Sequence, residues 1–258
     1  MPVNTHGDFS KLANNYSKFR PGYSQSVLDA LLCLTKRPVQ QIDFVDVGAG
    51  TGIWTRMVAE RGCHSVTAVE PNNEMRTMGI QDSDTLSIQW KEGSGEATGL
   101  DSESTDFLTM ASSFHWVDFE KGTQEFSRVL RKGGRFAAIW NPRFIEANPL
   151  LVEIEDKLKE LVPELKRKSS GRSGMTGQLT NLLNESPRFD DVIYLEGRHV
   201  ARQTPEHYLG LWWSVNDVQV QAGPKRFKAF MDYVEERISG LENIETVYLT
   251  RAWSAAKI

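Results

Sequence analysis

The feature that most constrains the fold is a short apolar run that ends in three alternating glycines, at residues 43–52. Val45 and Val47 have the pattern of a buried strand, and glycines let the backbone adopt positive φ and bring its N–H groups close to a ligand. Beyond Gly52 apolar residues recur at helical spacing, so the turn leads into a helix N-terminus, which favours polar or anionic ligand groups. A strand, a glycine turn and a helix start together predict a nucleotide-type site.

A second buried-strand pattern, residues 66–70, ends in a carboxylate. Glu70 follows the glycines by about twenty residues, which is where a ribose-binding acid is expected in nucleotide-binding folds. We expect Glu70 to accept hydrogen bonds from both hydroxyls of a ribose.

The glycines follow the pattern Gly48-Ala49-Gly50-x-Gly52, with Asp46 two residues ahead of them. Dinucleotide sites usually have G-x-G-x-x-G instead. An acid at Asp46 suits a ligand with an ammonium group and would repel a pyrophosphate. The pattern resembles that of the class I S-adenosylmethionine-dependent methyltransferases. This resemblance implies S-adenosyl-L-methionine as cofactor, with Gly48, Ala49, Gly50, Gly52 and Asp46 around it.

Composition narrows the possible partners. The chain has 258 residues, of which 25% are charged, and a formal net charge of −4, which disfavours a general nucleic-acid binder. Cys33 and Cys63 form no C-x-x-C pair, so neither a zinc site nor a disulfide framework is indicated. The sequence has no membrane-length apolar run and no signal pattern. We therefore expect a cytoplasmic protein with no metal and no nucleic-acid or membrane partner, either monomeric or homodimeric. A small-molecule substrate is implied by the resemblance.

From residue 42 onward strand and helix patterns alternate, which specifies an α/β fold with a parallel sheet. With the resemblance, this predicts a doubly wound Rossmann-like sheet of seven strands, mostly parallel, whose last strand is antiparallel. We expect one methyltransferase domain over residues 1–258, with an N-terminal helical lid (8–36), a cofactor-binding core (42–140) and a C-terminal half (141–258) that carries a helical cap insertion at 200–240. The predicted strands are 42–47, 66–70, 86–90, 105–110, 134–140, 189–195 and 244–253, and the predicted helices are 52–61, 72–79, 119–131, 149–165, 205–213 and 224–238.

The segment from Tyr16 to Tyr23 resembles a Y-x-x-x-R-P-x-Y lid of small-molecule methyltransferases. By that resemblance Tyr16 and Arg20 face the methionine end of the cofactor or a substrate anion. The alternative is an ordinary helix end with a solvent-exposed arginine.

An adenine beside the ribose needs flat or soft apolar walls, for which Pro71 and Met75 are placed, although Met75 could equally be core. Ser94, Gly95 and Glu96 lie in a loop resembling the family's G-D-A-E-x-L segment. Ser94 occupies the place of the usual adenine-contacting Asp. Glu96 or a backbone carbonyl is then expected to take over that contact, or adenine is held more weakly.

After the fourth strand the chain continues from Ala111 into Phe114-His115-Trp116-Val117-Asp118. The segment resembles the F-H-W-x-D of a branch that includes trans-aconitate methyltransferases. Ligands lie at strand C-termini in such sheets, so Ala111 is expected at the cofactor and Trp116 at the substrate. His115 is the candidate general base. It could instead tie the loop down through a backbone bond.

Arg172, Trp213 and Asn216 complete the predicted substrate site, Arg172 through a G-R of the same branch and the other two on the inner face of the cap. The predicted activity is methyl transfer from S-adenosyl-L-methionine to a small-molecule acceptor, at an oxygen of a carboxylate or hydroxyl. The alternatives are a non-catalytic S-adenosylmethionine-binding protein, an NAD(P)-dependent oxidoreductase and an RNA or protein methyltransferase.

Overall fold

The computed structural model describes residues 17–166 and 174–258. Tyr16 and Arg172, both predicted at the site, lie outside these residues. The strands are β1 Asp43–Val47, β2 Ser65–Val69, β3 Gln89–Lys91, β4 Thr105–Ala111, β5 Leu130–Trp140, β6 Phe189–Gln203 and β7 Ile244–Lys257. The helices are α1 Gln25–Cys33, α2 Ile53–Ala59, α3 Asn73–Asp82, α4 Phe119–Val129, α5 Pro149–Leu161, α6 Gly174–Glu185, α7 Pro205–Trp213 and α8 Asn216–Ile238, with short 3₁₀ turns at Val39–Gln41, Phe114–Trp116 and Ile145–Ala147.

The seven strands form one sheet in the order β3-β2-β1-β4-β5-β7-β6. Neighbouring strands from β3 to β5 pair in parallel, and β7 is antiparallel to both β5 and β6. This confirms the predicted fold class, including the single antiparallel last strand.

Both faces of the sheet are covered, which explains why the central strands β1 and β4 are buried over almost their whole length. One face packs on α1 and α2 through a core that contains Leu28, Phe44 and Trp54. The other packs on α4 and α6 through Phe126, Leu179 and their neighbours. A third apolar cluster joins α5, α7 and α8. We call residues 204–243, between β6 and β7, the cap.

The edge of the sheet differs most from the sequence prediction. Strand β6 runs to Gln203, beyond the predicted residue 195, and β7 runs to Lys257, beyond 253. The two strands pair with each other along most of their length, while β6 exposes alternate residues. The polar, exposed positions of β6 weaken the apolar pattern in the sequence, so the strand was predicted too short. Because β6 continues to Gln203, the cap begins at 204 rather than at 200.

Helix boundaries differ in the cap and before it. Helix α8 begins at Asn216 rather than 224, and it is interrupted at Gly223 (φ 69°, ψ 166°), immediately before Pro224. Helix α5 ends at Leu161 rather than 165. Among the residues that the structure describes, no helix is both long enough and apolar enough to cross a membrane.

Candidate active site

The glycine turn connects β1 to α2 and is held against β2. Gly48, Gly50 and Gly52 all have positive φ, between 58° and 79°. The N–H groups of Gly48 and Ala49 donate to the Val69 carbonyl at 2.8 and 3.1 Å. The turn therefore lies directly beside the end of β2, where the predicted carboxylate follows.

Glu70 is 6% exposed, and its carboxylate is fixed by backbone donors. The N–H of Gly50 donates to Oε2 at 2.7 Å and the N–H of Asn72 donates to Oε1 at 2.8 Å. These two bonds hold the carboxylate at the glycine turn, where Glu70 lines the cleft. The sequence prediction that couples Glu70 to the glycines thus has a direct structural basis.

Asp46 lies beneath the turn, and the side chains that line the cleft do not include it. It is fully buried, and its carboxylate accepts from the hydroxyls of Thr55 at 2.6 Å and Thr109 at 3.0 Å. Desolvation by burial raises the pKa of Asp46 to about 7. The predicted contact with a ligand ammonium is therefore corrected, because in this structure Asp46 joins β1, α2 and β4 beneath the site.

A cleft opens above the carboxyl ends of β1, β2 and β4. The side chains and backbone that line it are largely apolar, with Glu70 as the acid. The predicted site residues that line the cleft are Gly48, Ala49, Gly50, Glu70, Pro71, Met75, Ser94, Gly95, Ala111 and Trp116.

A family model for a methyltransferase domain matches residues 45–138, the segment that contains the glycine turn, Glu70 and most of the cleft. Residues 45–138 are similar to this methyltransferase domain, and we refer to them by that name. The match supports the predicted enzyme class, the S-adenosylmethionine-dependent methyltransferases.

Curated relatives agree with this assignment. An uncharacterized methyltransferase of Mycobacterium tuberculosis is 36% identical over 136 residues, which are 52% of this chain and 52% of that protein. A protein of Saccharomyces cerevisiae named as a probable S-adenosylmethionine-dependent methyltransferase is 27% identical over 154 residues, 57% of this chain and 52% of that protein. The matched part of the chain spans about half the length of these curated relatives.

The fold extends over nearly the whole chain. A solved structure from Anaeromyxobacter dehalogenans, provisionally assigned as a type II methyltransferase, superposes with a TM-score of 0.67 and 20% identity, covering 92% of this chain and 98% of that one. The similarity in fold therefore extends well beyond residues 45–138, which the family model matches.

Two predicted cofactor residues support the methyltransferase domain from behind the cleft. A Cβ on Gly52 would approach the Trp90 ring to 2.9 Å, so this glycine permits close packing of the turn. The Glu96 carboxylate accepts from the Ser94 hydroxyl at 3.2 Å and from the Asp118 N–H at 3.0 Å. Glu96 is not among the cleft-lining residues, and its predicted adenine contact is corrected to a bond between two loops.

Arg20 belongs to the lid segment, residues 17–24, and it points to the cap rather than to the cleft. Its Nε donates to the Ser214 hydroxyl at 3.1 Å and its guanidinium to the Ser214 carbonyl at 3.3 Å. Phe19 also packs edge-on against His207, with ring centroids 5.2 Å apart. Arg20 is half-buried and joins the lid segment to the end of α7, so the alternative of a solvent-exposed arginine is wrong. Its contact with the cofactor or a substrate anion stays a prediction.

His115 lies at the edge of the methyltransferase domain, next to the cleft-lining Trp116. The two ring centroids are 4.8 Å apart, and the Trp140 ring is 6.5 Å away. Both ring nitrogens are buried and have no hydrogen-bond partner within residues 17–166 and 174–258. Burial lowers the pKa of His115 to about 4, so the ring is neutral near pH 7. The backbone tie considered from the sequence is absent.

Trp213 and Asn216, the predicted substrate residues of the cap, do not line the cleft. Trp213 is 46% exposed and packs edge-on against Phe227, whereas Trp212 is fully buried. Asn216 is the half-buried first residue of α8. These two assignments are corrected, because the inner side of α7 is formed by Tyr208 and Trp212 instead.

The sequence analysis did not assign several residues that line the cleft. The Tyr23 hydroxyl is 3.0 Å from Oγ of Ser112, which has a positive φ of 57° although it is not a glycine. Tyr23 is the final residue of the quoted lid motif, which was a usable signal, whereas Ser112 offered none. The further unassigned residues are Thr51, Ile53, Trp54, Asn72, Met110, Ser113 and Val117.

Proposed function

We propose that the protein is a methyltransferase that moves a methyl group from S-adenosylmethionine to an oxygen of a small-molecule acceptor, a carboxylate or a hydroxyl. The observation that carries this proposal is the Glu70 carboxylate fixed beside the glycine turn, within a class I methyltransferase domain. We extend the proposal to a single functional unit over residues 1–258.

Two features of the cleft fit the donor. A Cβ on Gly50 would meet nothing within 4 Å, so the turn leaves space for a ligand directly against its backbone. The Thr51 hydroxyl is buried at the cleft without a partner in the described part of the chain, and a polar ligand group would supply one.

These features assign the donor's parts to residues. In this proposal Glu70 accepts from the ribose hydroxyls, while Pro71 and Met75 lie beside the adenine. The Ser94 hydroxyl and the Gly95 backbone bound the adenine edge, in place of the usual Asp. The methionine end then lies along the turn, near Thr51.

When bound, S-adenosylmethionine supplies a methyl group already activated by the sulfonium. The work of the protein is to align the acceptor oxygen behind that methyl and to exclude water, for which effective molarities of about 10⁵ M or more are attainable. Tyr23, Ala111 and Ser112 line the cleft at the end of β4, where the acceptor oxygen would be held. Trp116 forms the neighbouring wall.

The need for a base depends on the acceptor. A carboxylate is already ionised, whereas a hydroxyl must lose a proton, and His115 is the proposed base for it. With a pKa of about 4, His115 is a weak base, which favours the carboxylate. The resemblance to the trans-aconitate branch points the same way and stays part of the proposal.

The activity is tested by calorimetry with S-adenosylmethionine, followed by an assay for S-adenosylhomocysteine release over a panel of carboxylic acids, phenols and amines. Heat of binding and release with at least one acid are expected. The absence of binding heat would refute the proposal, and a fluorescence titration with NADH tests the dinucleotide alternative. His115→Ala should keep donor binding, and it should lower turnover only with acceptors that must lose a proton.

A further inference from the structure

A second group of polar side chains lies between the cap and the last strand, outside the cleft. We call it the tyrosine cluster: Tyr208 on α7, Tyr248 on β7, Arg143 just after β5 and Glu155 on α5. Arg143 pairs with Tyr248 in an isolated antiparallel bridge, and its guanidinium donates to the Glu155 carboxylate at 2.5 Å. The guanidinium also lies over the Trp212 ring, 4.6 Å from its centroid.

Both tyrosine hydroxyls of the cluster are buried and have no acceptor for their protons among the described residues. Tyr208 is 0% and Tyr248 4% exposed, and neither hydroxyl makes a hydrogen bond of ordinary length and angle within residues 17–166 and 174–258. The Trp212 indole N–H acts on the Tyr208 oxygen as a hydrogen-bond donor and lowers its pKa, which leaves the proton of that hydroxyl without an acceptor. Buried polar groups in folded proteins are nearly always paired, so two neighbouring hydroxyl protons without an acceptor indicate that something other than the described residues accepts them.

The hydroxyls are available as donors at neutral pH. Burial is the largest influence on both, and it raises the pKa of Tyr208 to about 12 and that of Tyr248 above its ordinary value. Charged neighbours have opposite effects on these pKa values. Arg143 lowers the pKa of both tyrosines and Arg20 lowers that of Tyr248, whereas Glu155 raises that of Tyr208. Two O–H donors form a site that suits an oxyanion, and the Arg143–Glu155 ion pair behind them carries no net charge.

The lid segment connects the cluster to the cleft. Arg20 acts on Tyr248, and Tyr23, three residues later, lines the cleft and lies 3.0 Å from Ser112. Three residues of extended chain span at most about 11 Å, so one short segment approaches both the cluster and the cleft.

We propose that the hydroxyls of Tyr208 and Tyr248 donate to an oxyanion group of the methyl acceptor, such as a carboxylate, beside the Arg143–Glu155 ion pair. This inference rests on the proposed function and names the residues that select its acceptor. The bound oxyanion is an anchor and is not itself methylated. It orients the molecule so that a second oxygen lies beside Tyr23 and Ser112.

The test uses Tyr208→Phe and Tyr248→Phe, which remove only the hydroxyls. Tyr233→Phe is the matched control, because its hydroxyl lies on α8 and is already paired with Glu153 at 2.6 Å. Binding of acetate, succinate, citrate and inorganic phosphate is measured by calorimetry on the full chain saturated with S-adenosylhomocysteine. At least one polycarboxylic acid should bind, and each cluster variant should raise its Kd about tenfold or more, which corresponds to about 1.4 kcal/mol. Tyr233→Phe should leave that Kd unchanged, and all three variants should keep the Kd of the donor.

The outcomes separate this inference from the proposed function. If S-adenosylmethionine does not bind, the proposed function fails. If it binds but no acid does, or if the acids bind equally well to the cluster variants, the oxyanion site is refuted and the methyltransferase proposal stands. Tighter binding of phosphate than of any carboxylate would show that the oxyanion group of the acceptor is a phosphate ester and not a carboxylate. A lower Tm in both cluster variants would show that the protein pairs these hydroxyls itself, which would also refute the site.

Discussion

At the scale of single residues, two glycines of the turn have different roles that the sequence does not distinguish. Gly48 and Gly50 both have positive φ, but a Cβ on Gly48 would come within 2.8 Å of the Ser113 side chain, whereas one on Gly50 would enter open space. Gly48 is therefore needed for packing, and Gly50 for access to the cleft.

We expect Gly50→Ala to cost only the left-handed backbone strain of about 1–2 kcal/mol but to weaken binding of S-adenosylmethionine, because the new methyl enters the cleft. Gly48→Ala should lower the free energy of unfolding by more than Gly50→Ala does. Urea unfolding and calorimetry measure the two effects. Gly133→Ala is the control, since its φ of 74° and its open surroundings reproduce the strain away from the cleft. Equal donor binding by Gly50→Ala and Gly133→Ala would contradict this account.

Asp46 predicts a pH dependence of stability. Because its pKa is raised to about 7 in the folded protein, the native state holds this proton more tightly than the unfolded chain, whose Asp titrates near 3.8. The contribution of Asp46 to stability is thus complete below about pH 4 and is lost as the pH rises to 7, at up to about 1.4 kcal/mol per pH unit.

The isosteric Asp46→Asn variant lacks this titration. The free energy of unfolding of the variant, measured in urea relative to the wild type, should therefore be more favourable at pH 8 than at pH 5. A difference that is independent of pH would mean that Asp46 is ionised at both values. Its neutral or charged state then has to be reconsidered.

At the scale of secondary-structure elements, one threonine joins the first helix to the sheet. The Thr250 hydroxyl on β7 accepts from the Ser24 N–H and donates to the Asn141 Oδ1, both at 2.8 Å, and Thr250 is fully buried. Ser24 is the N-cap of α1, and Asn141 in turn donates to the Gly22 carbonyl of the lid segment at 2.9 Å.

We expect Thr250→Val to lower the free energy of unfolding by about 2 kcal/mol or more, because it leaves two buried groups unpaired. Thr246→Val is the matched control on the same strand, since its hydroxyl makes a single bond to Gln203 at 3.2 Å and should cost about 1 kcal/mol. Chemical denaturation measures both. A similar loss of unfolding free energy in the two variants would show that the Thr250 bonds to Ser24 and Asn141 add no stability beyond that of a single hydrogen bond.

The elements themselves were predictable where periodicity is local. Strands β1, β2 and β4 and helix α2 repeat apolar residues at their own spacing, and the structure places them near the predicted bounds. Strand β3 begins at Gln89 rather than 86, and β5 begins at Leu130 rather than 134. Strand β6 was predicted too short because it is an edge strand with polar residues on its exposed positions. The extra length of β6 comes from pairing with β7, whose first paired residues are some forty positions away in the sequence.

At the scale of the whole molecule, the lid segment and the cap are joined across the chain. Arg20 bonds Ser214, Phe19 packs on His207, and a Cβ on Gly210 would lie 2.5 Å from the Phe19 ring. Residues near the two ends of the chain thus meet above the carboxyl edge of the sheet, next to the cleft.

We expect Arg20→Met to speed amide hydrogen exchange over residues 17–24, because two bonds between the lid segment and the cap are lost. The global free energy of unfolding should change by about 1 kcal/mol or less, since Arg20 is half-buried. Arg61→Met is the control, as Arg61 pairs with Asp29 on α1, away from the cap. Unchanged exchange in Arg20→Met would show that Phe19 packing alone holds the lid segment.

The sequence alone determined the sheet class, the glycine turn and the coupling of that turn to Glu70, because each depends on residue types at short, fixed spacings. Only the tertiary structure decided which side chains face the cleft. Asp46 turns down towards Thr55 and Thr109, Arg20 turns to the cap, and Tyr23 meets Ser112 across 89 positions of sequence. Such directions depend on contacts between distant segments. Periodicity fixes which face of an element is buried, but not which neighbour it meets.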